Sequence, residues 1–298
     1  KYKAENIPTY SELIWPMPNE TYNSLRDGIQ RLVDLGQKDF LMVHPLVLTP
    51  NAPMGQPSYK KQFNLVAKTV PLDTFYLKIE DPDNYVLEYT DAVYSTSTAD
   101  SYDVIKGNMF GYLFILMYYY GWAHAIMEYM HNKHNTRHVD LIDSMLRYFR
   151  NTRTTIGREI DATEKSFVDV FLNGGYWGRQ VLGKQDILWE YKGASSIVFH
   201  KNRTKIYDEL AKFLKDVYDV ENKDLNDINS LLCHDFRRTY PISMDFDSDT
   251  VKHALDIDSD KIVFDHWDKT IHSAEKFYHV AYHYQRKNRY WRCVTQSS

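Results

Sequence analysis

His131, His134 and His138 fall at i, i+3 and i+7, and His124 lies one heptad before His131. On one continuous helix the three would share a face, and three imidazoles on one face can ligate zinc or iron. No acidic ligand stands at motif spacing, because Glu128 is not part of an HExxH pattern. Asn132, Asn135 and Thr136 mark a helix end, and histidine also suits a helix C-terminus. A solvated helix end accounts for the pattern, and no metal ligand is assigned.

Two further clusters carry chemical side chains. His279 and His283 are interleaved with Tyr278, Tyr282 and Tyr284, and Arg286, Lys287, Arg289, Tyr290, Trp291 and Arg292 follow. Such a segment can bind phosphate or carboxylate or dock another domain, and an amphipathic terminal element gives the same pattern. Asp245-Phe246-Asp247-Ser248-Asp249 lacks the Gly and the closing Glu of a calcium loop, and reads as solvated acidic loop. There is no P-loop and no G-x-S-x-G elbow. The two cysteines, Cys233 and Cys293, are far apart, which excludes a disulfide scaffold and a Cys-only zinc site and suits a reducing cytosol.

At 298 residues there is room for one large domain or two ordinary ones. A net charge of −4 argues against a general nucleic-acid binder. The 24 tyrosines suit a polar-lined cavity or a partner surface, and composition does not choose between them. Met109 to Met127 carries no formal charge, but its tyrosines, His124, Gly111 and Gly121 favour a buried helix over a membrane span. No signal-like segment opens the sequence, so a cytoplasmic protein is expected.

The elements that would position chemistry are clearest near the start. Glu12 to Trp15 reads as a short buried strand running into a turn set by Pro16, Pro18 and Asn19. Leu25, Ile29, Leu32 and Val33 make one apolar stripe of a helix over Tyr22 to Leu35. Thr21 or Asn19 can cap that helix and Gly36 can end it. A second strand, Phe40 to His44, follows. Strand, helix, strand predicts a parallel βαβ unit with ligands at the C-terminal strand ends, where His44 lies. His44 is read either as a polar contact to cofactor or substrate or as a hydrogen-bonded rim histidine.

The pattern Glu12-Leu13-Ile14 with Pro18, Glu20 and Thr21, then a helix, then a strand closing on Leu48-Thr49-Pro50-Asn51-Ala52-Pro53-Met54, resembles the later barrel units of radical S-adenosylmethionine enzymes. It is most similar to their cobalamin-binding branch, many of whose members are methyltransferases. That family usually has Gly where this chain has Pro16 and Asn19. The resemblance implies that the two strands are the fifth and sixth of a partial (β/α)6 barrel. It puts Ile14 at the adenine, Leu46 or Leu48 on the sixth-strand wall, and Glu12 at a polar contact. It also implies S-adenosylmethionine, a [4Fe–4S] cluster and cobalamin as cofactors. The reaction would be methyl transfer to an unactivated carbon or phosphorus centre through a 5′-deoxyadenosyl radical and methylcobalamin. Such enzymes hold the cluster with three closely spaced cysteines, which this sequence lacks. Lys1–Ser298 is therefore expected to be the C-terminal portion of a longer polypeptide, inactive alone. Its partners would be the upstream barrel and cobalamin domain and a small-molecule substrate, with no nucleic acid and no membrane.

Beyond Pro57, the sequence predicts a strand at Phe75 to Glu80, another within Tyr85 to Tyr94, and helical character from Asp100 to about His134. Helical stripes recur at Leu141 to Phe149, Phe167 to Leu172, Ile206 to Val217 and Leu225 to Leu232, with short strands at Ile187 to Tyr191, Ile197 to Phe199 and Lys261 to Phe264. The expected fold class is α/β: the last units of a partial TIM-like (β/α)6 barrel over 1–58, a linker with a strand pair over 59–98, and a mainly helical domain over 99–298. A non-catalytic helix-rich module docking a partner through its tyrosines remains the alternative, and a His-metal hydrolase a third.

Overall fold

The computed structural model describes residues 7, 9–37, 40–72, 88–181 and 184–218, with 228, 231, 232 and 235; of 184–187 it describes the backbone. Strand β1 (Tyr10–Trp15), helix α1 (Tyr22–Asp34) and strand β2 (Phe40–Pro45) form the expected unit. β1 and β2 pair in parallel, with Glu12 opposite Met42 and Ile14 opposite His44. Between β1 and α1 the chain turns at Asn19, whose φ of 68° lies in the left-handed region that Asn tolerates better than most side chains. Thr21 caps α1, its hydroxyl accepting from the Ser24 N–H while the Ser24 hydroxyl accepts from the Thr21 N–H. Leu25, Ile29 and Val33 are buried along the predicted stripe, and Gly36 leaves the helix at φ 86°.

A second sheet follows. β3 (Val47–Leu48) and β4 (Val66–Pro71) flank β5 (Tyr89–Ser95), both antiparallel to it, with α2 (Pro57–Gln62) between β3 and β4. The two sheets join at Leu46, whose N–H donates to the Trp15 carbonyl and whose own carbonyl accepts from the Val93 N–H. β5 thus pairs with β3 and with β4, and the sequence predicts no strand over Val66–Pro71. Phe75 to Glu80 lies outside the described residues.

The rest of the described chain is helical apart from the hairpin of β6 (Arg179–Val181) and β7 (Lys184–Trp189). Helical character from Asp100 to His134 is broken rather than continuous. α3 (Ser101–Phe114) loosens into a π turn over Ile115–Tyr119, the chain reverses at Gly121, and α4 spans His124–His134. α5 (His138–Phe149) and α6 (Thr155–Val168) follow, then α7 (Tyr191–Lys201) and α8 (Arg203–Tyr218). The predicted strand at Ile197 to Phe199 is therefore wrong. Those residues sit inside α7, where the Glu190 carboxylate accepts from the Lys192 and Gly193 N–H groups and starts a helix. A short apolar run has no period to tell strand from buried helix. Tyr191 likewise opens α7 instead of ending β7. The stripe of α5 is buried as expected, whereas Leu172 and Val217 are exposed. Lys261 to Phe264 lies outside the described residues.

The largest cluster of buried side chains takes Trp15, Leu25, Ile29 and Leu41 from the βαβ unit together with the apolar faces of α3 to α8. α3 lies in its middle and is buried almost all round, as its uncharged sequence requires. Among the described residues no helix is long and apolar enough to cross a membrane.

Three variants test this packing. A Cβ at Gly111 would come within 2.8 Å of the Val43 Cβ, so Gly111→Ala is expected to cost about 1–3 kcal/mol in denaturant unfolding. Nothing lies within 4 Å of a Cβ at Gly28 in α1, so Gly28→Ala is expected to be neutral or to stabilise by about 1 kcal/mol. His200 packs edge-on against Trp122, and burial, with the Arg203 charge, pushes its pKa down to about 4 from 6.5. The unfolded chain then binds the proton first, so stability falls as pH drops from about 6.5 to about 4, by on the order of 3 kcal/mol. In His200→Phe that part of the pH slope should vanish from a series of unfolding curves.

Candidate functional site

Side chains alternate across β1 and β2, so the pair has two unlike faces. One carries Trp15, Leu41 and Val43, and α3 covers it. The Trp15 indole N–H donates to the Val104 carbonyl at 3.0 Å, and Gly107 and Gly111 lie against Trp15 and Val43. The other face carries Tyr10, Glu12 and Ile14 of β1, with His44 beside Ile14 on β2. Ile14 is 44% exposed, and the His44 Nε2 stands 3.6 Å from the Glu12 Oε1, both side chains open to solvent.

Three of the five cofactor-contacting residues expected from the sequence thus come together: Glu12, Ile14 and His44. Leu46 and Leu48 do not join them. Each is 3% exposed, and both pack with Leu65 and Val93 in a second cluster where the sheets meet. The open face offers an apolar side chain flanked by a carboxylate and an imidazole at the C-terminal strand ends. That set can lie against a flat ring and hydrogen-bond hydroxyl or amine groups beside it.

The histidines depart from the solvated helix end read from the sequence, because His138 is buried. α4 stops at His134, Asn135 takes a left-handed conformation at φ 52°, and His138 begins α5. His134 turns to Tyr129, while His138 is buried beside Glu128. Glu128, 2% exposed, accepts from the Tyr118 hydroxyl and from the His138 Nε2 at 3.0 Å. Burial and the Glu128 charge hold the Tyr118 hydroxyl well above the usual phenol pKa. A second buried polar group forms where α3, α6, β6 and α7 meet. Arg179 pairs there with Glu159, and Ser195 links Arg179 to Tyr112. Neither network was found from the sequence, because Glu128 with His138 and Glu159 with Arg179 meet only once the helices turn back on each other.

No family model matches the chain. Over 84 residues it is 42% identical to the cobalamin-dependent radical SAM methyltransferase TokK of Streptomyces tokunonensis, covering 28% of this chain and 12% of that protein. Over 151 residues it is 26% identical to the 2-(S-pantetheinyl)-carbapenam-3-carboxylate methyltransferase of Streptantibioticus cattleyicolor, covering 50% of this chain and 21% of that one. Both relatives are methyltransferases. The chain thus matches only 12% and 21% of the two relatives' lengths. The similarity supports the resemblance to that family and leaves the activity to be argued from the site.

The two settings of glutamate differ in what removing them does. Glu12→Ala should leave stability within about 0.5 kcal/mol of the parent, since an exposed pair contributes little. Glu128→Ala strips two buried donors of their acceptor and should cost about 3–5 kcal/mol. Chemical denaturation of both variants checks this contrast, and it makes Glu12 a clean probe of function.

Proposed function

We propose that this chain forms part of the S-adenosylmethionine and substrate pocket of a cobalamin-dependent radical SAM methyltransferase. The observation that carries the reading is the 42% identity over 84 residues to a protein named for that chemistry. The parallel β1–α1–β2 unit supports it, with one face sealed by α3 and the other open. In this reading β1 and β2 are late strands of a (β/α)6 barrel over 1–58. Residues 59–98 link them to a mainly helical domain that shapes the mouth.

The residues present fit an adenosyl group. Ile14 would lie against the adenine, with Glu12 and His44 at hydrogen-bonding distance from ribose or amino groups. Bound S-adenosylmethionine supplies the sulfonium whose cleavage begins radical chemistry in the family this chain resembles. The chain's own residues do the positioning: the Ile14 surface keeps water from one ring face, and the Glu12 carboxylate accepts from hydroxyls. His44 can donate or accept a proton at Nε2 beside it. The residues do not fit the iron–sulfur cluster, since the sequence holds only Cys233 and Cys293. Cluster and cobalamin are proposed to be held by a barrel portion and a cobalamin domain outside these 298 residues, and the substrate to be a small molecule.

The test uses the natural polypeptide that contains this chain, purified and reconstituted without oxygen. Ile14→Asp puts a charge against the adenine and should raise the KM for S-adenosylmethionine about tenfold or more, with Glu12→Gln and His44→Ala raising it less. The readout is 5′-deoxyadenosine formed per minute. Unchanged KM in all three variants would remove this face from the cofactor site.

A further inference from the structure

Asp34 is the last residue of α1, His131 lies in the last turn of α4, and His138 is the first residue of α5. One ligand atom from each, a carboxylate oxygen and two imidazole nitrogens, all lie within 4.8 Å of one another. The two rings are 4.4 Å apart centre to centre, and His138 is 1% exposed.

The hydrogen bonds assign both tautomers. The Gln30 Oε1 accepts from the Val139 N–H at 3.2 Å, so its amide nitrogen is the group that faces Asp34 and His138. That nitrogen donates to the Asp34 Oδ1 at 2.7 Å and to the His138 Nδ1 at 3.2 Å. The His138 Nδ1 therefore carries a lone pair, and its Nε2–H donates to the Glu128 carboxylate at 3.0 Å. The His131 Nδ1 stands 3.2 Å from the Thr136 carbonyl oxygen, which can only accept, so Nδ1 holds the proton and Nε2 keeps its lone pair. Each imidazole is thus held on one nitrogen by an acceptor, a carboxylate for His138 and a backbone carbonyl for His131. Metal-ligating histidines are oriented by such partners. The Gln30 amide, with two N–H groups between a carboxylate and an imidazole lone pair, occupies the place a cation would take.

The local field favours a cation as well. Asp34 offers a carboxylate oxygen, Glu128 backs His138, and the C-terminal ends of α1 and α4 add partial negative charge. The N-terminus of α5 works against them. Of the nearby cations, Arg137 is paired with Asp27, though its charge also reaches Asp34 and opposes the ion, and Lys133 donates to the Tyr129 hydroxyl.

We propose that Asp34, His131 and His138 bind a divalent transition-metal ion of the zinc class. Two imidazoles and one carboxylate suit zinc or cobalt, whereas magnesium and calcium take oxygen ligands. Asp34 is exposed and His131 half-buried, so a water can complete a tetrahedral set. The Gln30 amide must leave the His138 Nδ1 when the ion enters, which sets a moderate affinity. The ion would join α1, α4 and α5 at one point, whether or not the methyltransferase reading holds.

Untagged, metal-stripped full chain is titrated with Co²⁺ at pH 7.5 and followed by visible absorption, then with Zn²⁺ by calorimetry. One equivalent should bind, with the d–d bands of a four-coordinate nitrogen and oxygen site and a rise in Tm. His131→Ala and Asp34→Asn, both away from the deepest core, should each weaken binding at least about tenfold. His134→Ala should leave it unchanged. Gln30→Ala, freed of the competing amide, should bind more tightly. Absence of a stoichiometric site at 100 µM metal (about 8 µM protein), or binding that survives both His131→Ala and Asp34→Asn, would overturn the proposal.

Discussion

At Gly107 and Gly111 the backbone of α3 comes against Trp15 of β1 and Val43 of β2, so closely that a methyl group at either position would collide. The Trp15 indole N–H meets the Val104 carbonyl one turn earlier on the same helix. Two glycines four residues apart clear a groove on one side of a helix whose other sides are apolar. That groove is what lets a helix hydrophobic all round serve as the axis of the core, with strands on one side and α5 to α7 on the others. Larger residues at those positions would force the strand pair away and open the buried cluster.

The same contact decides which side of the strand pair is left for chemistry. With Trp15, Leu41 and Val43 committed to α3, the alternation of the strands sends Glu12, Ile14 and His44 to the opposite face. An exposed isoleucine between a carboxylate and an imidazole gives a stand-alone domain little stability. Under the proposed function it is the wall of a pocket that other strands complete.

Where local signals were strong, the sequence was enough. The βαβ unit could be read because α1 has a stripe, a capping threonine and a closing glycine within the sixteen residues from Thr21 to Gly36, and because β2 follows at once. α5 was equally plain from Leu141 to Phe149. What could not be read depended on partners distant in the chain. Val66 to Pro71 pairs with a strand 18 to 29 residues on, and its lysine and threonine hide the alternation. Ile197 to Phe199 is apolar, short and without period, so only the Glu190 cap distinguishes helix from strand there. Leu46 and Leu48 looked like pocket wall because buried leucines on a strand look alike in either setting. The structure puts them at the junction of two sheets. The histidines were visible but misgrouped, since a left-handed Asn135 turns His138 back toward His131 and Asp34, which no helical wheel would bring together.

The most direct measurement is to read the source coding frame upstream of Lys1. The account predicts an open frame that runs on through a Cys-x3-Cys-x2-Cys motif, with a cobalamin-binding region before it, in the same polypeptide. A start codon at or just before Lys1, with no such motif in frame, would contradict it and leave the open face of β1 and β2 without the barrel that gives it a purpose.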